Sequence, residues 1–396
     1  MIKNVPIVFC HGLLGWKNEL PKGFHYFVAA QKLKRQEQEN IQPFILSSTG
    51  PFSSLHDQVC ELFFQLKGGL TDYGEEHSKN AGHKRYARYY GQKENTPENA
   101  SGFGGKAEYP EWDSEHPLDF VGHSMGGTLI RVLQKYLDED YFYKNCGFSE
   151  HTNANWVRSV TTIAGVHNGS TLTWILGADE ETGLLPQNSH LVKFLAKFLI
   201  RGGKHQNEKA DKNFKYDLHL DQWENGQIDI YGSDWALYDL TPNAFYKFNS
   251  ETKEFPDTWY FSCKAKGSFS IFGKFYSPIP FVTHLMLFIN CFAMGFYRTK
   301  CSKWKSIEKL FRQNDGMCPT ESEKYPFLGR SLNDSKNFKN SSNIDLCDKE
   351  KGKWNVITKI PLMDHAEPAM FPHLLRIHHS KKLYKKLIDI LKNLSS

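Results

Sequence analysis

The sequence predicts an α/β fold with a mostly parallel central sheet and helices on both faces, and two observations carry that prediction. The first is alternation: strand-like apolar runs are separated by helix-like segments, the pattern left by parallel strands joined through crossover helices. The second is a serine in a glycine frame. Residues 122–126 read G-H-S-M-G, between a strand-like run at 118–121 and a helix-permissive stretch at 128–137. A serine on a sharp strand-to-helix turn sits in strained backbone, and its neighbours two before and two after must lack a Cβ to avoid collision. Ser124 is therefore the first candidate nucleophile.

Taken in order, residues 7–10, 44–46, 118–121, 160–164 and 259–263 read as strands, with helices at 59–66 and 129–137. A further strand-like run spans 356–360. Residues 71–116 are polar, Gly-rich and too long for an ordinary crossover, so they read as an insertion. Residues 331–353, rich in Asn, Ser, Asp and Lys, read as a solvated loop. Residues 190–201 put Leu191, Phe194, Leu195, Phe198 and Leu199 on one helical face, opposite Lys193, Lys197 and Arg201. By itself that pattern describes a surface helix packed on a core; the alternative is a lid whose apolar face covers a cleft. Residues 275–297 carry no Asp, Glu, Lys or Arg, long enough to raise a transmembrane helix. Pro278, Pro280, His284 and Asn290 argue instead for buried core or cleft lining.

A chain of 396 residues accommodates two ordinary domains or one α/β domain with insertions. The net charge of +5 is spread over 49 basic and 44 acidic residues with no dense basic tract, which argues against a nucleic-acid partner. The eight cysteines are dispersed, with no C-x-x-C pair, and read mostly as buried thiols. A strand-like run at 5–10 leaves no room for a signal segment after Met1, so the expectation is an intracellular protein or one whose leader has been removed.

A serine hydroxyl is a weak nucleophile unaided, so Ser124 needs a contacting base and a carboxylate to orient that base. In hydrolases built on such an elbow the chain order is Ser, then Asp or Glu, then His. Asp315 lies in the turn signal Q-N-D-G, and His365 follows the strand-like run at 356–360. Order and spacing permit both without choosing them uniquely, because His373, His378 and His379 are also near the C-terminus. An oxyanion needs two backbone N–H donors. Met125, directly after the nucleophile, supplies one, and Leu13 in H-G-L-L-G, directly after the first strand, can present the other. His77 and His83, with Asp57 upstream, are chemically competent for zinc, although six-residue His spacing is not diagnostic.

These residues together resemble the zinc-containing true lipases of the bacillus and staphylococcal type, α/β-hydrolases that cleave triacylglycerols. The likeness runs from P-I-V-F-C-H-G at 6–12 through G-P-F-S-S at 50–54, G-G-L-T-D-Y-G at 68–74, G-H-S at 122–124, V-T-T-I-A at 160–164, L-D-Q-W at 220–223 and Y-D-L at 238–240, to D-H-A-E at 364–367. It implies one α/β-hydrolase domain over 1–396, with a zinc-bearing insertion near 71–116 and a helical lid near 172–204, where Asp179, Glu180 and Glu181 replace apolar residues. It implies a triad of Ser124, Asp315 and His365, with Leu13 and Met125 at the oxyanion positions. It also implies a structural Zn2+ on Asp57, His77, His83 and Asp234. Of the family's calcium site, Glu367 matches one ligand, but Pro372 stands where a carboxylate is expected, which leaves that site incomplete. The implied partner is a lipid ester at an oil–water or membrane interface, met without a transmembrane span. The implied location is secreted, against the absence of a visible signal segment. A phospholipid or galactolipid hydrolase, or an acyltransferase, would share the acyl-enzyme chemistry; a non-catalytic lipid-binding protein would not.

Overall fold

The computed structural model describes residues 5–17, 25–37, 42–187, 222, 228–330, 338–341, 349–357, 362–370 and 376–394. Its strands are β1 (Ile7–Cys10), β2 (Phe44–Leu46), β3 (Gly69–Asp72), β4 (Tyr86–Tyr90), β5 (Gly102–Gly105), β6 (Leu118–His123), β7 (Val157–Ile163), β8 (Trp259–Cys263), β9 (Ser268–Ile271), β10 (Phe275–Pro278), β11 (Phe338–Ser341) and β12 (Trp354–Ile357). The α-helices are α1 (Val28–Glu37), α2 (Leu55–Lys67), α3 (Glu75–Ala81), α4 (Met125–Asp138), α5 (Tyr141–Asn145), α6 (Leu172–Ile175), α7 (Ala236–Asp239), α8 (Pro242–Ser250), α9 (Leu285–Phe296), α10 (Lys305–Glu308) and α11 (Ile377–Lys392).

Seven strands form one sheet in the order β11-β12-β8-β7-β6-β1-β2, and every pairing in it is parallel. Because side chains alternate along a strand, β1 sends Val8 and Cys10 into one core and Ile7 and Phe9 into the other. The first core is closed by α2 and α4, through Val59, Phe63, Leu129 and Leu133. The second is closed by α1 and α11, through Ala29, Leu33, Leu383 and Leu387. A parallel sheet must be covered on both faces, and apolar helix stripes on each side meet that need. The predicted α/β architecture is the one formed.

Several boundaries differ from the sequence reading. The strand before the serine extends to His123, and α2 begins at Leu55, where the Ser54 side chain caps the helix by accepting from the Asp57 N–H at 3.2 Å. A three-stranded sheet, β3-β4-β5, begins at Gly69, just ahead of the expected insertion, and continues within it. Two segments of the expected solvated loop, 331–337 and 342–348, lie outside the described residues, as do 358–360 of the last strand-like run; between them β11 pairs with β12, which local polarity had hidden. The amphipathic segment 190–201 also lies outside the described residues, and of the expected lid only 172–187 is described. There the acidic departure has a visible role: the Glu180 carboxylate accepts from the Lys300 and Cys301 N–H groups at 2.8 and 2.7 Å.

The uncharged stretch 275–297 corrects its own expectation. It forms β10 and α9, but only one side of α9 is buried, through Leu287, Cys291, Met294 and Gly295. On its other side Leu285, Met286, Ile289 and Phe292 are exposed. Among the described residues, no helix is long and apolar enough to cross a membrane. Six of the cysteines are buried free thiols and Cys301 is half-buried.

Candidate functional site

Ser124 stands between β6 and α4 with φ 57° and ψ −128°, a left-handed backbone that a serine adopts only when its surroundings hold it there. Three glycines make room for that turn. A Cβ on Gly122 would strike the Gly126 backbone, one on Gly126 would strike the Cys10 carbonyl, and one on Gly12 would stand 2.7 Å from the Ser124 Cβ. Ser124 is 7% exposed.

His365 lies 241 residues further along the chain, with Nε2 at 2.8 Å from the Ser124 Oγ. Its Nδ1 is 2.5 Å from Asp315 Oδ2, and its backbone N–H donates to the Asp315 carbonyl at 3.0 Å. The other Asp315 oxygen accepts from the Met317 and Cys318 N–H groups at 2.9 and 2.7 Å. An Nδ1–H donated to Asp315 leaves Nε2 with a lone pair toward the hydroxyl, the tautomer that proton removal needs. Of the C-terminal histidines, His378 and His379 meet edge to face in the first turn of α11, and His373 lies outside the described residues. Met125 opens α4 and is buried, and Leu13 follows β1 and packs on the first core.

Three further residues complete the surroundings. His123 Nε2 faces the His365 carbonyl at 2.9 Å, so it must be the donor there. Its Nδ1 then accepts from the Tyr26 hydroxyl at 2.8 Å, and that hydroxyl accepts from the Gly12 N–H at 3.0 Å. Burial, with the His365 charge adding to it, holds the His123 pKa well below the ordinary imidazole value and keeps it neutral. Glu323 is the third: fully buried, it accepts from the Ala265 N–H, and burial together with the Asp315 charge pushes its carboxyl well above the usual range. The only hint in the sequence was the H in G-H-S.

A second cluster joins α2, α3 and the loop before α7. His77 Nε2 lies 3.2 Å from Asp57 Oδ1 and 3.5 Å from Asp234 Oδ1; His83 Nε2 lies 3.6 Å from Asp57 Oδ2 and 3.2 Å from Asp234 Oδ2. The two imidazole nitrogens are 3.3 Å apart. Ligands about 2.0–2.1 Å from a tetrahedral zinc would be separated by roughly 3.3 Å, so the donor set fits that ion. All four ligand atoms lie within 4.8 Å of one another. His83 Nδ1 donates to the Lys84 carbonyl at 2.8 Å, which aims Nε2 inward, and the His56 ring stacks on His77 at 3.4 Å.

A family profile described as "Lipase-like, C-terminal domain" matches residues 3–372. The chain belongs to this family. It is 26% identical over 393 residues to a lipase of Staphylococcus hyicus, covering 91% of this chain and 53% of the relative, and 26% identical over 390 residues to a Staphylococcus epidermidis lipase, covering 92% and 50%. The chain thus spans about half the length of the curated relatives it matches. Among solved structures, EstA from Clostridium botulinum is similar with a TM-score of 0.76, 26% identity and coverage of 99% of this chain and 88% of that one. The Staphylococcus hyicus lipase structure shares the fold, with a TM-score of 0.69, 24% identity and coverage of 98% and 95%.

The calcium position suggested by the lipase resemblance has a different chemistry here. Pro372 lies outside the described residues. Glu367 faces the Arg376 guanidinium at 3.4 Å, and Asp364 Oδ2 accepts from the His284 N–H at 2.5 Å and lies 2.7 Å from His284 Nδ1. Burial raises the Glu367 carboxyl to about 7, with Arg376 opposing that rise. Among the described residues, a guanidinium and an imidazole thus stand where further oxygen ligands for Ca2+ would be needed. Among the described residues, no cluster of carboxylates forms at this position.

Proposed function

We propose that this protein hydrolyses carboxylic esters of lipids through an acyl-enzyme on Ser124, acylglycerols being the substrate class. The observation that carries the reading is the contact of Ser124 Oγ with His365 Nε2 at 2.8 Å, in a base already oriented by Asp315. Ser124 Oγ attacks the ester carbonyl carbon while His365 Nε2 takes its proton. The Leu13 and Met125 N–H groups receive the oxyanion, and the His365 imidazolium returns the proton to the departing alcohol. Water then attacks the acyl-serine with the same base, releasing the acid and restoring Ser124. Asp57, His77, His83 and Asp234 would hold zinc, which would supply a cross-link between the insertion and α2 and take no part in the steps above.

The test is labelling by a long-chain phosphonate serine probe, read by intact mass and peptide mapping, beside turnover of a short-chain ester and of an acylglycerol emulsion. Label at Ser124 with turnover abolished in Ser124→Ala supports the reading; substantial turnover retained by that variant overturns it. Products analysed with added alcohol or with phospholipid separate the acyltransferase and polar-lipid alternatives. Lipid binding with no covalent label, in micelles as well as in buffer, would leave only a non-catalytic binder.

A further inference from the structure

Helix α9 lacks the polar face that a water-exposed helix normally has. Its outward side shows Leu285 88% exposed, Ile289 79% exposed, and Met286 and Phe292 beside them. The apolar surface continues at Phe281 just before the helix, 92% exposed, and at Phe272 on the β9–β10 turn, 95% exposed. Both of these phenylalanines have positive φ, 61° and 50°, a conformation bulky side chains rarely adopt. At Phe272 the tight turn closed by the Lys274 N–H on the Ile271 carbonyl accounts for the positive φ, and it is the contiguous exposed apolar surface that marks an interaction site.

The unit is rigidly mounted next to the catalytic loops. The Asn314 side-chain amide donates to the Cys291 carbonyl at 3.0 Å, one residue before Asp315. Leu287 packs over Gly316, and His284 holds Asp364, one residue before His365. The hairpin is fastened to the helix by Phe275, stacked on Phe296 with centroids 4.8 Å apart, and by Gly295, where any Cβ would strike the Tyr276 carbonyl. The charge carried by this stretch of sequence is mostly basic. From Lys264 to Arg312 there are nine Lys or Arg and a single acid, Glu308, in a chain whose total is only +5. Lys274 at the hairpin and Arg298 just after the helix are exposed at the edge of the apolar face.

We propose that α9 and the β9–β10 hairpin form the face by which this protein docks on an anionic lipid–water interface, which deepens the lipid-ester reading and rests on it. Apolar side chains enter the acyl boundary while the basic rim meets anionic headgroups. Docking in this way brings the loops that carry Asp315 and His365 down to the lipid.

The experiment is co-sedimentation of the full chain with vesicles of phosphatidylglycerol and phosphatidylcholine, and with phosphatidylcholine alone. Parent, Leu285→Glu/Ile289→Glu and Lys274→Glu/Arg298→Glu are compared, each also assayed on a water-soluble short-chain ester and by thermal unfolding. The expected result is binding that prefers the anionic vesicles, weakens with salt, and falls at least tenfold in both double variants, while soluble-ester turnover and Tm stay as in the parent. Vesicle binding unchanged by both variants overturns the proposal. If the apolar variant instead dissociates a dimer in sedimentation velocity, the occupant is a second copy; if it lowers Tm with vesicle binding intact, the face is covered by this chain itself, and either result overturns it. A parent that binds vesicles but turns over no ester defeats the catalytic reading and leaves the docking face standing.

Discussion

At the scale of single residues, the site depends on hydrogen bonds that fix one tautomer in each of two histidines. Asp315→Asn would present an amide to His365 Nδ1 and favour the wrong tautomer; on the proposed chemistry, kcat should fall by roughly 10⁴ with the fold intact, measured as ester turnover beside circular dichroism. Tyr26→Phe tests the less obvious network. It leaves the Gly12 N–H and His123 Nδ1 without their shared hydroxyl, a loss of about 1–3 kcal/mol for buried groups. Turnover and Tm should both drop in that variant, and unchanged values in both would remove Tyr26 from any positioning role. Ser124 itself was legible because its glycines obey a steric rule acting within a few residues. Tyr26 and Glu323 were not, since nothing in their neighbouring sequence marks a residue whose partners come from other strands and loops.

At the scale of elements, the Asp57, His77, His83 and Asp234 cluster ties α2 and α3 to the start of α7. If zinc holds them together, a strong zinc chelator should lower Tm by roughly 5 °C or more while initial turnover of a soluble ester declines less. His83→Ala should show the lower Tm already and respond little to chelator. A chelator selective for calcium, and added Ca2+, should leave both proteins unmoved, because Arg376 and His284 already face the carboxylates at that position. A calcium-dependent Tm rise of several degrees would contradict this. Residues 57, 77 and 83 were suspected from residue type alone. Asp234 entered only through family resemblance, because more than 150 residues separate it from His77. The outward face of α9 was misread for a related reason: hydropathy reports what a segment would bury, and cannot say which side the neighbouring loops leave open.

For the whole molecule, His11 links the fold to pH. Burial brings its pKa down to about 4, so the folded protein refuses a proton that the unfolded chain accepts at about 6.5. Stability from this group is therefore complete above pH 6.5 and is lost as pH falls toward 4, by at most roughly 3 kcal/mol. Buried Glu61, raised to about 8, has the opposite sign, losing stability as pH rises from 4.5. The measurement is urea unfolding at pH 7 and pH 5 for parent and His11→Gln; the difference between them isolates the imidazole, and the variant should lose less on acidification. Equal losses would mean that His11 is not held neutral. By itself, the sequence determined the alternation of strands and helices, the strained elbow at Ser124 and the glycine loop after β1, because apolar periodicity and Cβ clashes are local. Only the tertiary structure decided which histidine and which aspartate meet that serine, across 241 and 50 residues of chain, and which side of α9 faces outward. Those outcomes follow from the strand order β12-β8-β7-β6-β1 and from the loops it gathers at one edge, a long-range arrangement that no window of neighbouring residues contains.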